Sequence, residues 1–147
     1  MSATDQLQQF SAQYEDVYFC HETYDCALLS AGGTFDLIDR VLQTTTDADT
    51  RSARNGFALV RPPAHHAMAG DACGLCVFNN VALGAKRALD RHGLSRILIV
   101  DIDVHHGQGA QRLVYDDPRV LYFSIHRFEQ GRLWPNLPES NWDFLGC

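Results

Sequence analysis

From Tyr24 onward, apolar residues recur at steps of three and four: Tyr24, Ala27 and Leu28, Ala31, Phe35, Ile38 and Leu42. That spacing predicts an amphipathic helix, with Thr23 or His21 near its start. Gly32-Gly33 falls inside it, at a cost of ~1 kcal/mol per glycine, and marks either a weak point or a place of close packing. Phe78, Val81, Ala85, Ala88, Leu89 and His92 predict a second helix, opened by Asn79 and closed by Gly93. Its cations Lys86, Arg87 and Arg91 sit in the half that suits the helix dipole. Val17–Cys20 reads as a short β-type run, and Phe57–Val60 as a buried strand stopped by Arg61-Pro62-Pro63, since proline cannot donate to a ladder. Ile97–Val100 is a continuous apolar run, the signature of a strand covered on both faces of a parallel sheet. A short helix around Gly109–Tyr115 and a strand at Val120–Ser124 follow. The order β-α-β-α-β-α-β implies an α/β fold of three layers with a mostly parallel sheet. Residues 1–16 read as a disordered lead-in, residues 17–147 as one domain, and Gln43–Arg54 as a surface loop.

Composition narrows the class. At 147 residues, 46% hydrophobic and 20% charged, the chain is the size of one domain and can build a core. Eighteen acidic against 12 basic residues give a net charge of -6, which argues against direct nucleic-acid binding. No apolar run reaches the ~18–20 residues of a membrane span, and Met1–Asp16 holds no apolar signal segment. Five cysteines at irregular spacing suit free thiols in a reducing, intracellular compartment.

Chemistry concentrates beyond the ends of the expected strands, where open α/β sheets bind ligands. Asp101, Asp103 and His105 alternate with Ile102 and Val104, so extended geometry aims all three at one face. Two carboxylates and an imidazole so placed suit a divalent transition metal such as zinc, or else a satisfied polar turn. Gly107 and Gly109 permit a tight turn there. His65 and His66, after Phe57–Val60, fall on the same rim, and histidine suits proton transfer near neutral pH. A metal that activates water beside such histidines is equipment for hydrolysing an amide or ester. Cys73-Gly74-Leu75-Cys76 lacks the second ligand pair of a zinc finger and reads as structural thiols. Glu15, Asp16, Asp116 and Asp117 read as solvated charges, and Arg127–Trp134 as either a substrate wall or ordinary loop packing.

Together these motifs resemble the zinc-dependent histone deacetylases: Arg61–Ala67, Gly74–Asn80, and Ile97–Gly107 with its Asp101-x-Asp103-x-His105-His106-Gly107 core. Leu121–Arg127 and Glu129–Pro135 are similar to class II, most of all to the first catalytic domain of the two-domain class IIb enzymes. The resemblance runs from about Val17 to Asp143. It implies an arginase-like three-layer fold, here truncated, and hydrolysis of N-acetyl-lysine in histones or other proteins, in cytoplasm or nucleus, with roles in chromatin regulation. By resemblance Asp103 and His105 are two of three zinc ligands, and His65 and His66 the tandem histidines that handle protons. Asp101 then orients the first histidine and, with Asp103, His105 and Ser124, matches a structural potassium site. Gln108 supports the second histidine, and Gly74, Leu75, Leu133 and Trp134 fall on the substrate tunnel.

The sequence also departs from the family pattern. Leu75 stands where an aromatic tunnel residue is usual, Ala64 where a glycine precedes the histidines, and Ile102 where tryptophan is common. The third zinc ligand (an aspartate), the tyrosine that polarises the substrate carbonyl and a segment that shapes the pocket rim have no counterpart in these 147 residues. Two alternatives therefore stand beside the deacetylase reading. One is a catalytically inactive fragment serving as a binding module or arising as a truncated product. The other is an arginase-fold deacetylase of small amides such as acetylpolyamines.

Overall fold

The computed structural model describes residues 2–43 and 53–141. Four helices and two strands follow one another as α1 (Ala3–Ser11), α2 (Thr23–Leu42), α3 (Asn80–His92), β1 (Ile97–Asp101), α4 (Gln108–Val114) and β2 (Val120–Ser124), with 3-10 turns at Glu129–Gly131 and Pro138–Ser140. The loop expected at Gln43–Arg54 lies largely outside the described residues.

α1 occupies the stretch expected as a disordered lead-in. A capping box explains it: the Asp5 amide donates to Ser2 Oγ and the Ser2 amide to Asp5 Oδ2. Phe10, Tyr14 and Phe19 then stack in a trio with centroids 5.1–5.3 Å apart, tying the helix to the segment before α2. Nothing in the apolar spacing of residues 1–13 announces either device.

α2 runs unbroken through its glycine pair. A Cβ on Gly32 would meet no atom within 4 Å, so close packing does not require that glycine. The intimate contact lies on α3 instead, where a Cβ on Gly84 would come within 2.7 Å of Ile38. Asp39 fastens the two helices, accepting from Arg87 Nε at 2.8 Å and bonding to His92 Nε2 at 2.8 Å. α3 begins and ends where the sequence places it: Asn79 Oδ1 accepts from the Ala82 amide, and Gly93 closes the helix at φ +68°.

β1 and β2 pair in parallel, in register from Ile97 opposite Val120 to Asp101 opposite Ser124. Because side chains alternate along a strand, one face carries Ile97, Ile99, Val120 and Tyr122 into a small core with Ala82, Ala85 and Val114. The other face presents Leu98, Val100, Leu121 and Phe123, each more than half exposed. The expectation that Ile97–Val100 is covered on both faces therefore fails here: the described residues supply helices to one side only. Val17–Cys20 and Phe57–Val60 are not strands either. A strand needs a ladder partner, and β1 and β2 form the one pair among the described residues, leaving Phe57 and Leu59 86% and 89% exposed. Packing of α2 towards β1 is also incomplete, with an apolar cavity of about 420 Å³ lined by Leu37, Ile38, Val41, Ala88, Leu94 and Ile97.

Candidate active site

The site forms where β1 ends. Past Asp101 the chain turns rather than continuing as a strand, and side chains hold the turns: the Asp103 amide donates to Asp101 Oδ1 at 3.1 Å, and the His105 amide to Asp103 Oδ1 at 2.8 Å. Ile102 and Val104 point away into solvent, as the alternation in sequence suggests. The loop at residues 64–67 is drawn onto the start of α4, where the Ala110 amide donates to His65 carbonyl oxygen at 2.9 Å. Gly109 makes that approach possible, since a Cβ there would lie 2.3 Å from the Ala67 carbonyl. Asn79 secures the other side by donating to the same carbonyl at 2.9 Å. Asn80 donates to Ser30 Oγ, which donates to Pro62 carbonyl oxygen, so α2 and α3 both grip the loop.

This backbone arrangement presents two histidine dyads. His65 Nδ1 lies 2.8 Å from Asp101 Oδ2, and a carboxylate can only accept, so Nδ1 carries a proton and Nε2 faces the site. His66 Nδ1 lies 2.7 Å from Gln108 Oε1, while the Gln108 amide nitrogen donates to Cys73 Sγ at 3.5 Å. Burial lowers the His66 pKa to about 4, assisted by His65 and His105 nearby and only partly offset by Gln108, so the ring is neutral at pH 7. Burial alone would raise Asp101, but bonds from His65, Tyr122 and the Asp103 amide outweigh it and bring the carboxyl to about 2. Asp103 Oδ1 stands 3.8 Å from His65 Nε2 and 3.2 Å from His105 Nδ1.

Of the residues singled out in sequence, the structure brings His65, His66, Asp101, Asp103, His105 and Gln108 into one contiguous cluster. Trp134 joins it, its ring centroid 4.5 Å from that of His66 and 5.9 Å from His105. Gly74 is wedged between them: a Cβ there would lie 2.6 Å from both the His66 and Trp134 rings. Gly74 and Leu75 both have positive φ, forming the tight turn that sets Cys73 opposite Cys76. Leu75 projects from its tip, 65% exposed. Leu133 is half-buried, with its amide donating to Phe128 carbonyl oxygen at 3.4 Å. Both thiols are buried and shifted upward, Cys76 to about 11 by desolvation, which keeps them protonated and unreactive. Ser124 lies opposite Asp101 in the ladder, and its hydroxyl is engaged with His126 Nδ1 at 2.7 Å.

Three residues take roles in the site that the sequence does not announce. Tyr122 donates to Asp101 Oδ2 at 2.7 Å, and only its place on the inward face of β2 hints at this. Asn79 doubles as helix cap and loop clamp. Glu15, expected as a solvated charge, accepts from Trp134 Nε1 at 2.9 Å, while its carbonyl and that of Asp16 receive the Gly74 and Leu75 amides.

For metal binding, Asp103 and His105 offer one carboxylate and one imidazole, an N/O donor pair that suits zinc. Among the described residues no group of three His, Cys, Asp or Glu side chains gathers as a metal site. The donors present fit the ion in kind and amount to two of the three that a catalytic zinc requires.

A carboxylate-backed histidine beside an amide-backed one stands at the end of the parallel strand pair, and the histone deacetylase domain profile matches residues 1–143. The chain belongs to the histone deacetylase family. It is 54% identical over 142 residues to polyamine deacetylase HDAC10 of Mus musculus, covering 97% of this chain and 20% of that protein. It is 48% identical over 134 residues to histone deacetylase 6 of Caenorhabditis elegans, covering 91% of this chain and 13% of that protein. With histone deacetylase HDA1 of Candida albicans the identity is 41% over 144 residues, 97% of this chain and 16% of the other. The chain thus spans about a fifth or less of the length of these relatives. Membership places the fold in the arginase/deacetylase class, of which the described residues show a parallel strand pair and one helical layer. None of the described helices is long and apolar enough to cross a membrane.

Proposed function

We propose that this chain carries part of the catalytic centre of a zinc-dependent protein lysine deacetylase, acting on the N-acetyl-lysine of histones or other proteins in the cytoplasm or nucleus. The observation that supports this best is the pair of dyads, His65–Asp101 and His66–Gln108, meeting beside Asp103 and His105 at the end of β1. Asp103 and His105 would hold the zinc, which when bound polarises the acetyl carbonyl and acidifies water. The chain's own residues manage the protons. His66, neutral at pH 7 with its Nε2 lone pair free of Gln108, is able to accept one. Asp101 lets His65 carry positive charge without leaving its place, and transfer to the departing amine falls to these two rings. Gly74, Leu75, Leu133 and Trp134 form the wall along which the acyl-lysine stem lies, with Leu75 giving a thinner grip than an aromatic ring. A structural potassium ion at Asp101 and Ser124, which sit opposite each other in the ladder, belongs to the same reading.

A second reading, hydrolysis of acetylpolyamines, is favoured by the 54% identity to the mouse polyamine deacetylase. Both substrates present an acetylated primary amine on an alkyl stem, so the chemistry is shared and the surroundings of the stem decide. The deciding experiment offers an acetyl-lysine peptide and an N-acetylated polyamine to the chain extended to its relatives' length, with and without zinc chelation. Turnover of the peptide lost on chelation supports the first reading, turnover of the polyamine alone supports the second, and turnover of neither overturns both.

A further inference from the structure

The Asp101 carboxylate has three donors. His65 Nδ1 and Tyr122 Oη both take Oδ2, at 2.8 and 2.7 Å, and the Asp103 amide takes Oδ1 at 3.1 Å. Tyr122 arrives from the neighbouring strand, paired with Ile99, so its side chain lies on the same sheet face as Asp101. Its oxygen also stands against the Gly107 amide. A Cβ on Gly107 would fall 2.5 Å from Tyr122 Oη, 2.5 Å from Asp101 Oδ2 and 2.7 Å from His65 Nδ1. Gly107 is the N-cap of α4, and the next residue is Gln108, the partner of His66. One phenol therefore touches the support of the first histidine directly and the support of the second through one peptide unit.

A half-buried phenol facing a core needs some hydrogen-bond partner, and any carbonyl on the core face would satisfy it. Tyr122 instead shares the very oxygen that His65 uses. Two donors on one carboxylate oxygen divide its charge between them, so the hydroxyl limits how strongly Oδ2 draws the His65 Nδ1 proton and fixes the plane of the carboxylate. Burial and the Asp101 charge both push the Tyr122 pKa upward, which keeps the hydroxyl a donor at all working pH values.

We infer that Tyr122 is a positioning residue shared by the two histidine dyads, setting the Asp101–His65 bond directly and the Gln108–His66 bond through Gly107. Its functional weight rests on the deacetylase reading. Its geometry does not, and the test below needs neither turnover nor metal.

The experiment records the ring N–H proton and ¹⁵N resonances of the 147-residue chain labelled with ¹⁵N-histidine, in the original form and as Tyr122→Phe. His92, bonded to Asp39 between α2 and α3, serves as the distant control of folding. Removing the hydroxyl leaves Oδ2 to His65 alone, so the His65 Nδ1–H resonance is expected to move downfield. The His66 Nδ1–H resonance is expected to shift or broaden as the Gly107 turn loses its contact, while His92 stays in place. Unmoved His65 and His66 signals beside an unmoved His92 would overturn the inference. Should the phenylalanine variant lose the His92 signal as well, 3-fluorotyrosine at position 122 keeps the shape and makes the hydroxyl a stronger donor. An upfield move of His65 then supports the shared oxygen, and no move refutes it. If these signals respond but the extended enzyme hydrolyses no acetyl amide, the functional reading fails and the brace stands.

Discussion

His65 and His66 are neighbours in the chain with ring centroids 3.9 Å apart, yet they lean on chemically opposite partners. His65 donates to an ionised carboxylate held at about 2, whereas His66 donates to the neutral amide of Gln108. His66 is also the more deeply packed, 5% exposed and flanked by Gly74 and Trp134. A carboxylate can balance a proton taken up by its histidine, and an amide cannot. Two identical side chains at adjacent positions are thereby distinguished by what stands behind each ring.

The strongest way to break this contrast is to delete the amide-backed histidine. In the polypeptide extended to its relatives' length, His66→Ala is expected to lower acetyl-amide turnover by ~10²–10⁴, the range of a lost acid–base group. Turnover within a factor of two of the parent would remove His66 from the proton path. Metal tests the His65 side, where Asp103 stands. In the 147-residue chain, titration calorimetry is expected to show only weak zinc binding, because two donors are present among the described residues where three are needed, and Asp103→Ala should abolish it. Tight zinc that survives the substitution would place the ligands elsewhere.

Glycine substitutions sharpen the comparison at the level of stability. Gly107→Ala drives a methyl into the Asp101–Tyr122–His65 node, and Gly74→Ala drives one into the His66 and Trp134 rings at a backbone φ of +51°. Each is expected to cost about 1–3 kcal/mol in urea unfolding. Gly32→Ala, in open space within α2, is expected to stabilise by about 0.5–1 kcal/mol instead. If all three behave alike, the crowding around the dyads is not what sets their cost.

The smallest effect separates the dyads by pH. His66 titrates at about 4 when folded against 6.5 as its ordinary value, so between those limits the unfolded chain holds the extra proton and stability falls as pH drops through them. Asp101 is held at about 2 against 3.8, so its contribution is present above that ordinary value and is lost only as pH falls from about 3.8 towards 2. Unfolding curves for His66→Gln should therefore flatten the slope in the upper window, and those for Asp101→Asn in the lower. Coincident windows would mean that one network titrates as a unit.

Much of this site is legible in sequence because it depends on near neighbours. Asp101, Asp103 and His105 are spaced by two, Asn79 and Gly93 bracket a periodic run, and the His65–His66 pair follows a proline stop. Asp101 belongs to a strand and the next two belong to turns, but the spacing survives because each turn is closed by the side chain two residues earlier. What sequence does not reveal depends on pairing across distance. Phe57–Val60 has the composition of a strand and no ladder to join, and Tyr122 reads as one more core aromatic until β2 is set beside β1. The helix at Ala3–Ser11 is missed for the opposite reason, because its cap is polar and local while the apolar period is absent.

The edge-on contact between Trp134 and His66 gives the protein an optical readout of its own chemistry. An imidazolium beside an indole quenches its emission, whereas a neutral imidazole does so far less. With Trp142→Phe leaving Trp134 as the sole indole, fluorescence should dim as His66 takes up its proton near pH 4, a step that His66→Gln should remove. The same signal would brighten or shift as any ligand parts the two rings. The arrangement that crowds Gly74 thus reports, without a label, on whether the histidine is charged and whether the wall beside it has moved.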